Sequence, residues 1–306
     1  VNINITDDIG KTSLMKAASE GQVEVVKLLL THNCIDINKQ DIQYQTALMM
    51  ASVNGHTDVV KLLLECNDID LNIRNSDGVP AIVATAERGY FDIVKLFLNC
   101  KTSGRKSDVN MSQKLKYSLL SIVVCIGDVE KTKLLLKCSR VNVNWKDPYG
   151  KTPLMVSIIK KQDEITNLLL KHSKINVNLK DNDGNSALTY AAKYSNSDII
   201  YTLLELKKIS INIQNNIGNT PVMIAAENGN VDAINVFLLN KKVKFNIENE
   251  VGETALIIAV EKGYLSIVKL FIEMKLVDIN TKDSLNETIL MKATINGHAR
   301  LVDYLL

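Results

Sequence analysis

The stretch GKTSLMKAASEGQVEVVKLLL, from Gly10 to Leu30, decides how the whole chain is interpreted. It places Gly-Lys-Thr before a helical pattern, as a phosphate-binding loop does. Such a loop needs another glycine five residues earlier, because its backbone N–H groups have to surround the phosphates. Position 5 is Ile5, and a second Gly-Lys-Thr, at Gly150, has Trp145 in that place. The spacing therefore argues against a nucleotide site.

A repeat explains the same stretch better, because the position of Thr12 recurs along the chain. The recurring positions are Thr12, Thr46, Pro80, Ser118, Thr152, Ser186, Thr220, Thr254 and Thr288. The interval is 34 residues throughout, except between Pro80 and Ser118, where it is 38. A period in this range is typical of solenoids and other repeat arrays. We therefore predict nine repeats that fill the chain, the last of them incomplete.

Each repeat contains signals for two helices and an extended linker. The recurring Ser or Thr suits a helix N-cap, since its side-chain oxygen can accept a bond from an early helical N–H. A glycine usually follows nine positions later, as at Gly21, which indicates a helix end in the left-handed region. A second apolar helix follows, as in VEVVKLLL. In the linker, apolar residues alternate and an asparagine stands eight residues before every cap, as at Asn38.

Two stretches of the repeats show a family resemblance most clearly. DPYGKTPLMVSIIKKQDEITNLLL and HTDVVKLLLECNDIDLN resemble ankyrin repeats, and the likeness covers the whole chain. It implies an all-α fold, an ankyrin-type α-solenoid with short extended or β-hairpin linkers between helix pairs. It also implies a non-catalytic, protein-binding scaffold that uses its concave face. Its fixed period predicts a single array over residues 1–306.

One departure from the family pattern is consistent. The histidine usual three residues after the Thr is absent from every repeat. The residues found there are Met15, Met49, Val83, Ser121, Met155, Thr189, Met223, Ile257 and Met291. The inter-repeat hydrogen bonds of that histidine cannot form, and we expect adaptable methionine packing to replace them.

Composition limits the partners. Basic and acidic residues nearly balance, at 36 and 34, so generalised nucleic-acid binding is not expected. The sequence has no apolar run of membrane-spanning length and no signal peptide, so membrane insertion by this segment is not expected either. The expected partner is another protein.

Five cysteines do not form a disulfide framework. Cys66, Cys100 and Cys138 share one position in the repeat, with His32 and His172. Equivalent residues of stacked repeats are about 10 Å apart, too far for a disulfide or for shared zinc ligands. We therefore predict reduced thiols and an intracellular, cytoplasmic protein.

The sequence also lacks a catalytic constellation: it contains no H-E-x-x-H, no G-x-S-x-G and no paired C-x-x-C. We predict that the chain is not an enzyme and has no cofactor or metal site. Three N-x-S/T sequons occur, at Asn4, Asn110 and Asn286. The first two share the repeat asparagine position, and Asn286 replaces a turn glycine, so structural roles are expected for all three.

The ends and one joint are atypical. Neither end carries the polar capping repeat that a free array usually needs, so we expect a segment of a longer protein. In repeat three, Pro80 stands where a cap hydroxyl is expected. An irregular joint is predicted at 99–117, between repeats three and four, because four extra residues occur there. Its basic residues, opposed by Asp108 alone, fit a solvated loop or a contact with an acidic partner. A second function is therefore open: a substrate-recruiting or membrane-proximal array of a larger enzyme or channel.

The family resemblance assigns contact roles to positions four, three and one before the cap, and seven and eight after it. In repeats four to six these positions are unusually apolar. The predicted protein-binding residues are Tyr117, Ile126, Tyr149, Ile159, Lys160 and Tyr194, together with Trp145 in the adjoining linker. Leu115 and Cys125 occupy contact positions as well. Clustered aromatic and aliphatic residues suggest an interface.

Altered packing is the alternative for this region. Lys161 and Ser195 replace the glycine at the end of the first helix, so Ile126 and Ile159 could be buried. A separate apolar row is expected to be helix packing instead. It comprises Met50, Ala84, Ile122, Val156, Tyr190, Ile224 and Ile258.

Overall fold

The computed structural model describes residues 2–99, 118–139, 141–194, 197–276, 278–280, 282 and 286–306. Their secondary structure is helical, in pairs. The helices are α1 (Ser13–Ser19), α2 (Val23–Leu30), α3 (Ala47–Val53), α4 (Thr57–Glu65), α5 (Ala81–Glu87), α6 (Phe91–Asn99), α7 (Leu119–Ile126), α8 (Val129–Leu136), α9 (Pro153–Ile159), α10 (Asp163–Leu170), α11 (Ala187–Lys193), α12 (Ser197–Leu204), α13 (Pro221–Glu227), α14 (Val231–Leu238), α15 (Ala255–Glu261), α16 (Leu265–Glu273), α17 (Ile289–Ile295) and α18 (Ala299–Leu305). The described linkers consist of turns and irregular segments, and three isolated bridges, such as Thr6 to Thr12, are the β-pairing seen within these ranges.

The chain divides into two compact blocks. The N-terminal block is Val1–Asp147 and contains α1 to α8; the C-terminal block is Pro148–Leu306 and contains α9 to α18. The predicted irregular joint at 99–117 lies outside the described residues, except for Asn99. The single array over residues 1–306 stays a prediction.

Each block has two helical layers. In the N-terminal block α1, α3, α5 and α7 pack in one row and α2, α4 and α6 in a second. In the C-terminal block the rows are α9 to α17 by odd numbers and α10 to α16 by even numbers. The core lies between the rows, where side chains such as Phe237 and Phe271 are fully buried. Each buried residue of this size contributes about 1.5–3 kcal/mol to stability. None of the described helices is long and apolar enough to cross a membrane.

The predicted caps are confirmed. Each first helix of a pair begins directly after its Ser or Thr, and that hydroxyl accepts a bond from the backbone N–H three residues on, as Thr12 does from Met15 at 3.2 Å. Pro80 makes no side-chain cap bond. Thr12 is therefore the N-cap of α1.

The methionines do more than pack. Met15, Met155 and Met223 are each only 1% exposed. Their sulfurs also accept a hydrogen bond from the cap residue's own N–H, at 3.4, 3.4 and 3.3 Å. In the sixth repeat Thr189 Oγ1 accepts the same bond from Ser186, at 3.2 Å. The expectation of packing alone was incomplete, because a thioether is also a weak acceptor.

The asparagines form ladders within each block. Asn4 Nδ2 donates to the Cys34 carbonyl at 2.7 Å, and Asn4 Oδ1 accepts from Asp36 N at 2.9 Å. Asn178 makes the equivalent two bonds in the C-terminal block: its Nδ2 donates to Lys208 O at 2.6 Å, and its Oδ1 accepts from Ser210 N at 2.8 Å. The side chain therefore satisfies backbone groups of the next linker and fixes its register.

Candidate protein-binding surface

The loop tips before the caps are built by side chains that bond their own backbone. Asp181 Oδ1 accepts from Asp183 N at 3.0 Å and from Asn185 N at 2.8 Å, which closes the loop. Each tip then bonds its neighbour. In the C-terminal block Asn182 N donates to Tyr149 O at 3.0 Å, and Glu250 N donates to Ile217 O at 3.2 Å. Consecutive tips therefore form a row.

Tyr149 and Tyr194 belong to one connected network. Tyr149 lies on a tip whose carbonyl accepts from Asn182 N. The neighbouring Asp181 accepts a bond from the Tyr190 hydroxyl at 2.5 Å. The Tyr190 ring stacks on that of Tyr194, with centroids 6.4 Å apart. A path of contacts therefore runs from the tip that carries Tyr149 to Tyr194 at the end of α11.

Tyr190 is the buried support of this network. It is 7% exposed, and burial raises its pKa well above the usual range, helped by the bond to the Asp181 carboxylate. The hydroxyl therefore stays protonated and keeps donating to Asp181. The Tyr149 ring is exposed, and the Lys151 ammonium lies 5.2 Å from its centroid.

The predicted binding residues differ in exposure. In the C-terminal block Tyr149 is 64% exposed, Lys160 is exposed, and Ile159 and Tyr194 are half-buried. In the N-terminal block Ile126 is 58% exposed and Trp145 is half-buried. The Trp145 Nε1 atom is buried and has no hydrogen-bond partner in the part of the chain that the structure describes. Tyr117, like Leu115, lies outside the described residues.

The two interpretations of this region make different claims about Ile126. Altered packing would have buried it, and that expectation is wrong for Ile126. Lys161 adopts the left-handed conformation of the glycine it replaces, at φ 56°, so the local backbone keeps the repeat geometry. The use of these residues as an interface stays a prediction.

Exposed apolar tips also occur outside repeats four to six. Ile217 and Val251 are 57% and 60% exposed in the C-terminal block. In the N-terminal block Ile9, Ile42 and Tyr44 are 46%, 66% and 58% exposed. Apolar contact positions were predicted for repeats four to six, and these tips show that they extend beyond those repeats. Ile9, Ile217 and Val251 share the position of Tyr149, three before the cap, so the signal was present.

The apolar row four residues after each cap packs as predicted. Met50, Tyr190, Ile224 and Ile258 are buried, and Ala84, Ile122 and Val156 are half-buried. In the ninth repeat the same position is Lys292, which is 8% exposed.

Lys292 is buried among carboxylates, a cluster that was not predicted from the sequence. Its ammonium bonds Glu261 and lies 3.7 Å from Glu287. Glu253 is close by and accepts a bond from Asn249 Nδ2 at 3.0 Å. Burial raises the pKa of the Glu253 carboxyl, and the charge and hydrogen bonding of Glu261 raise it further. The same row position is an exposed lysine, Lys16, in the first repeat, so the residue type alone did not indicate the buried cluster.

The histidines and cysteines have framework surroundings. His56 and His298 contact carbonyl oxygens of the preceding repeat, Ser19 at 2.8 Å and Glu261 at 2.7 Å. Both histidines therefore have a framework role between neighbouring repeats. Cys34 and Cys125 are exposed free thiols, whereas burial raises the pKa of the half-buried Cys66 thiol. Within the described ranges, His, Cys, Asp and Glu form no group of three that could hold a metal ion.

Stacked helix pairs with capped first helices and bonded loop tips define a helical solenoid. A family model described as ankyrin repeats in three copies matches residues 1–75, 81–181, 173–249 and 222–306. The chain therefore belongs to the ankyrin repeat family. Ankyrin repeats are generally protein-interaction modules, and the fold is typically non-enzymatic.

Solved structures agree on the fold. The crystal structure of EF0377, an ankyrin repeat protein, is 27% identical and superposes with a TM-score of 0.57. The match covers 61% of this chain and 95% of that one. No curated protein matches the chain significantly.

Proposed function

We propose that this chain is a non-catalytic scaffold that binds another protein through the concave face of its ankyrin repeats. The row of loop tips in the C-terminal block carries the contact, with Tyr149 and Tyr194 as anchors and Ile159 and Lys160 beside them. Ile126 and Trp145 are the proposed contact residues of the N-terminal block, and Tyr117 remains a candidate from sequence.

The observation that supports this most is the exposure of Tyr149 on a rigid tip. A tyrosine that is 64% exposed, with a backbone bonded to the next tip, is held in place without being buried. Tyrosine is enriched at hot spots because it buries a large rigid area and keeps a polar end. An anchor of this kind loses little conformational entropy on binding.

The test uses Tyr149→Ala. Because the ring contributes little to folding, the free energy of unfolding of the variant should lie within about 0.5 kcal/mol of that of the wild type. Losing a central anchor should weaken binding by about 2 kcal/mol, roughly thirtyfold. The partner is first isolated by affinity purification with the wild-type chain and mass spectrometry. Melting temperature and partner affinity are then measured on one Tyr149→Ala sample.

Two results would contradict the proposal. Undiminished affinity in a folded Tyr149→Ala variant would remove Tyr149 from the site. A large loss of stability, with binding lost only through unfolding, would instead favour the altered-packing interpretation.

The alternative function is a substrate-recruiting or membrane-proximal array of a larger enzyme or channel. It shares the binding surface and differs in what the rest of the gene encodes. The full-length gene distinguishes the two, because a kinase, ligase or membrane-span pattern outside residues 1–306 would favour the alternative.

A further inference from the structure

A second surface lies at the C-terminal ends of the second helices, where the chain turns into the linker. In the C-terminal block three consecutive turns, residues 171–174, 205–208 and 239–242, carry six lysines and one acidic residue, Glu205. We call Lys171, Lys174, Lys207, Lys208, Lys241 and Lys242 the lysine edge. All six are exposed.

The asparagine ladder holds these turns side by side. Asn178 Nδ2 donates to Lys208 O at 2.6 Å, and Asn212 Nδ2 donates to Lys242 O at 2.9 Å. Each linker is thereby fixed to the next turn at a repeat spacing of about 10 Å. The positive charges form a row on a rigid backbone, in a chain whose net charge is only +2.

The fold itself does not require these lysines. Cations near a helix C-terminus are favourable, so a framework role would be the simplest explanation. Two equivalent turns of the N-terminal block, residues 31–34 and 65–68, serve the same helix ends without a lysine and include Glu65 and Asp68. A third, residues 137–140, carries Lys137 and Arg140. Helix ends of this kind therefore form without lysine, and three consecutive turns with two lysines each favour a partner that is negative.

We propose that the lysine edge docks the chain on an anionic phospholipid surface. Lysine side chains are attracted to such a surface within about 8–10 Å, the screening length at physiological salt. Leu239 lies two residues before Lys241 and is 76% exposed, which suits the boundary between headgroups and acyl chains. The three turns contain no arginine, phenylalanine, tyrosine or tryptophan, and His172 is their one ring that could stack on a base of single-stranded nucleic acid.

The experiment is vesicle co-sedimentation of the purified 306-residue chain. Vesicles of phosphatidylcholine alone are compared with vesicles containing about a third phosphatidylserine, at low and at physiological salt. Binding is expected to the anionic vesicles only and should weaken as salt rises. Each lysine near the surface contributes about fivefold in partitioning. The variant K207Q/K208Q/K241Q/K242Q should therefore bind on the order of 600-fold more weakly.

A matched control removes the same charge elsewhere. The variant K161Q/K193Q/K262Q/K282Q changes four exposed lysines outside the three turns, three of them at the ends of first helices. It should keep vesicle affinity within about threefold, because these residues lie away from the lysine edge. Glu205→Lys adds a charge to the edge and should strengthen binding about fivefold, which tests the proposal even if the first variant folds poorly.

Three outcomes would overturn the proposal. These are no binding to anionic vesicles, an equal loss in both fourfold variants, and tighter binding to a duplex or single-stranded oligonucleotide than to vesicles. The last result would assign the edge to nucleic acid. None of these measurements depends on Tyr149 or on the protein partner.

Discussion

At the scale of single residues, some glycines of this chain serve two purposes. Gly229 adopts φ 69° at the end of α13, a conformation that costs other residues about 1–2 kcal/mol. The Tyr264 ring of the next repeat also packs on it, so an added Cβ would lie 2.8 Å from a ring carbon. Backbone freedom and close packing therefore act at the same position.

Gly229→Ala should lower the free energy of unfolding by about 2–4 kcal/mol, the sum of the left-handed cost and the clash with Tyr264. A double-mutant cycle separates the two contributions. In a Tyr264→Ala background the same substitution should cost only about 1–2 kcal/mol, as measured by chemical denaturation. An equal cost in both backgrounds would show that the ring is not the obstacle.

Glu253 is a second case in which one residue's surroundings set a measurable property. Its pKa is raised in the folded protein, by burial first and then by Glu261. A carboxyl of this kind destabilises the fold once the pH rises above its unfolded pKa, and the penalty is complete above its folded pKa.

Glu253→Gln should therefore raise the melting temperature at pH 7, since it removes the charge and keeps an oxygen for the Asn249 amide. The gain should disappear as the pH falls below about 4.5, the carboxyl's ordinary pKa, where both states of the wild type are protonated. Melting curves between pH 4 and pH 8 measure this. A gain that is independent of pH would contradict the assignment.

At the scale of elements, the ends of the helices were predictable because they are local. A hydroxyl before an apolar run, and a glycine nine residues later, placed the first helix of each pair. The contribution of Asn4 and Asn178 to the next linker was not predicted, because it depends on a register between residues 30 and 32 positions apart. The left-handed backbone conformation of Tyr44, a non-glycine residue at φ 58°, was not predicted either.

The candidate surface was predictable only in part for the same reason. Tyr149 and Ile126 were found because their repeat positions are exposed in this family. The link from Tyr149 to Tyr194 through Asp181 and Tyr190 needs three-dimensional contacts. The Lys292 cluster likewise joins residues of different repeats.

The asparagine ladder predicts how repeats are coupled. Asn178→Ala removes two hydrogen bonds to the next linker and should destabilise the protein by about 1–3 kcal/mol. Asn178→Asp keeps the acceptor for Ser210 N but loses the donor to Lys208 O, so it should be destabilised too. Urea unfolding of the wild type, Asn178→Ala and Asn178→Asp measures their free energies of unfolding. An Ala variant as stable as wild type would mean that water replaces the ladder without cost.

At the scale of the whole molecule, stability in a repeat protein is close to a sum of nearest-neighbour terms. One poor neighbour can then uncouple the parts on either side. The sequence places that weak point between repeats three and four, where Pro80 leaves α5 without a side-chain cap and the spacing lengthens.

Limited trypsin digestion should consequently cut first between Lys101 and Lys116, a segment outside the described residues. Pro80→Thr should restore the missing cap, stabilise α5 by about 1 kcal/mol and slow this first cut. Thr220→Ala, which removes a cap in the seventh repeat, is the matched control and should leave the rate at 101–116 unchanged, because its effect stays with its neighbours. Mass spectrometry of the first fragments gives the cleavage sites. A first cut elsewhere in the array, or a rate that Thr220→Ala raises as much as Pro80→Thr lowers it, would mean that the repeats unfold as one unit and that no weak joint separates them.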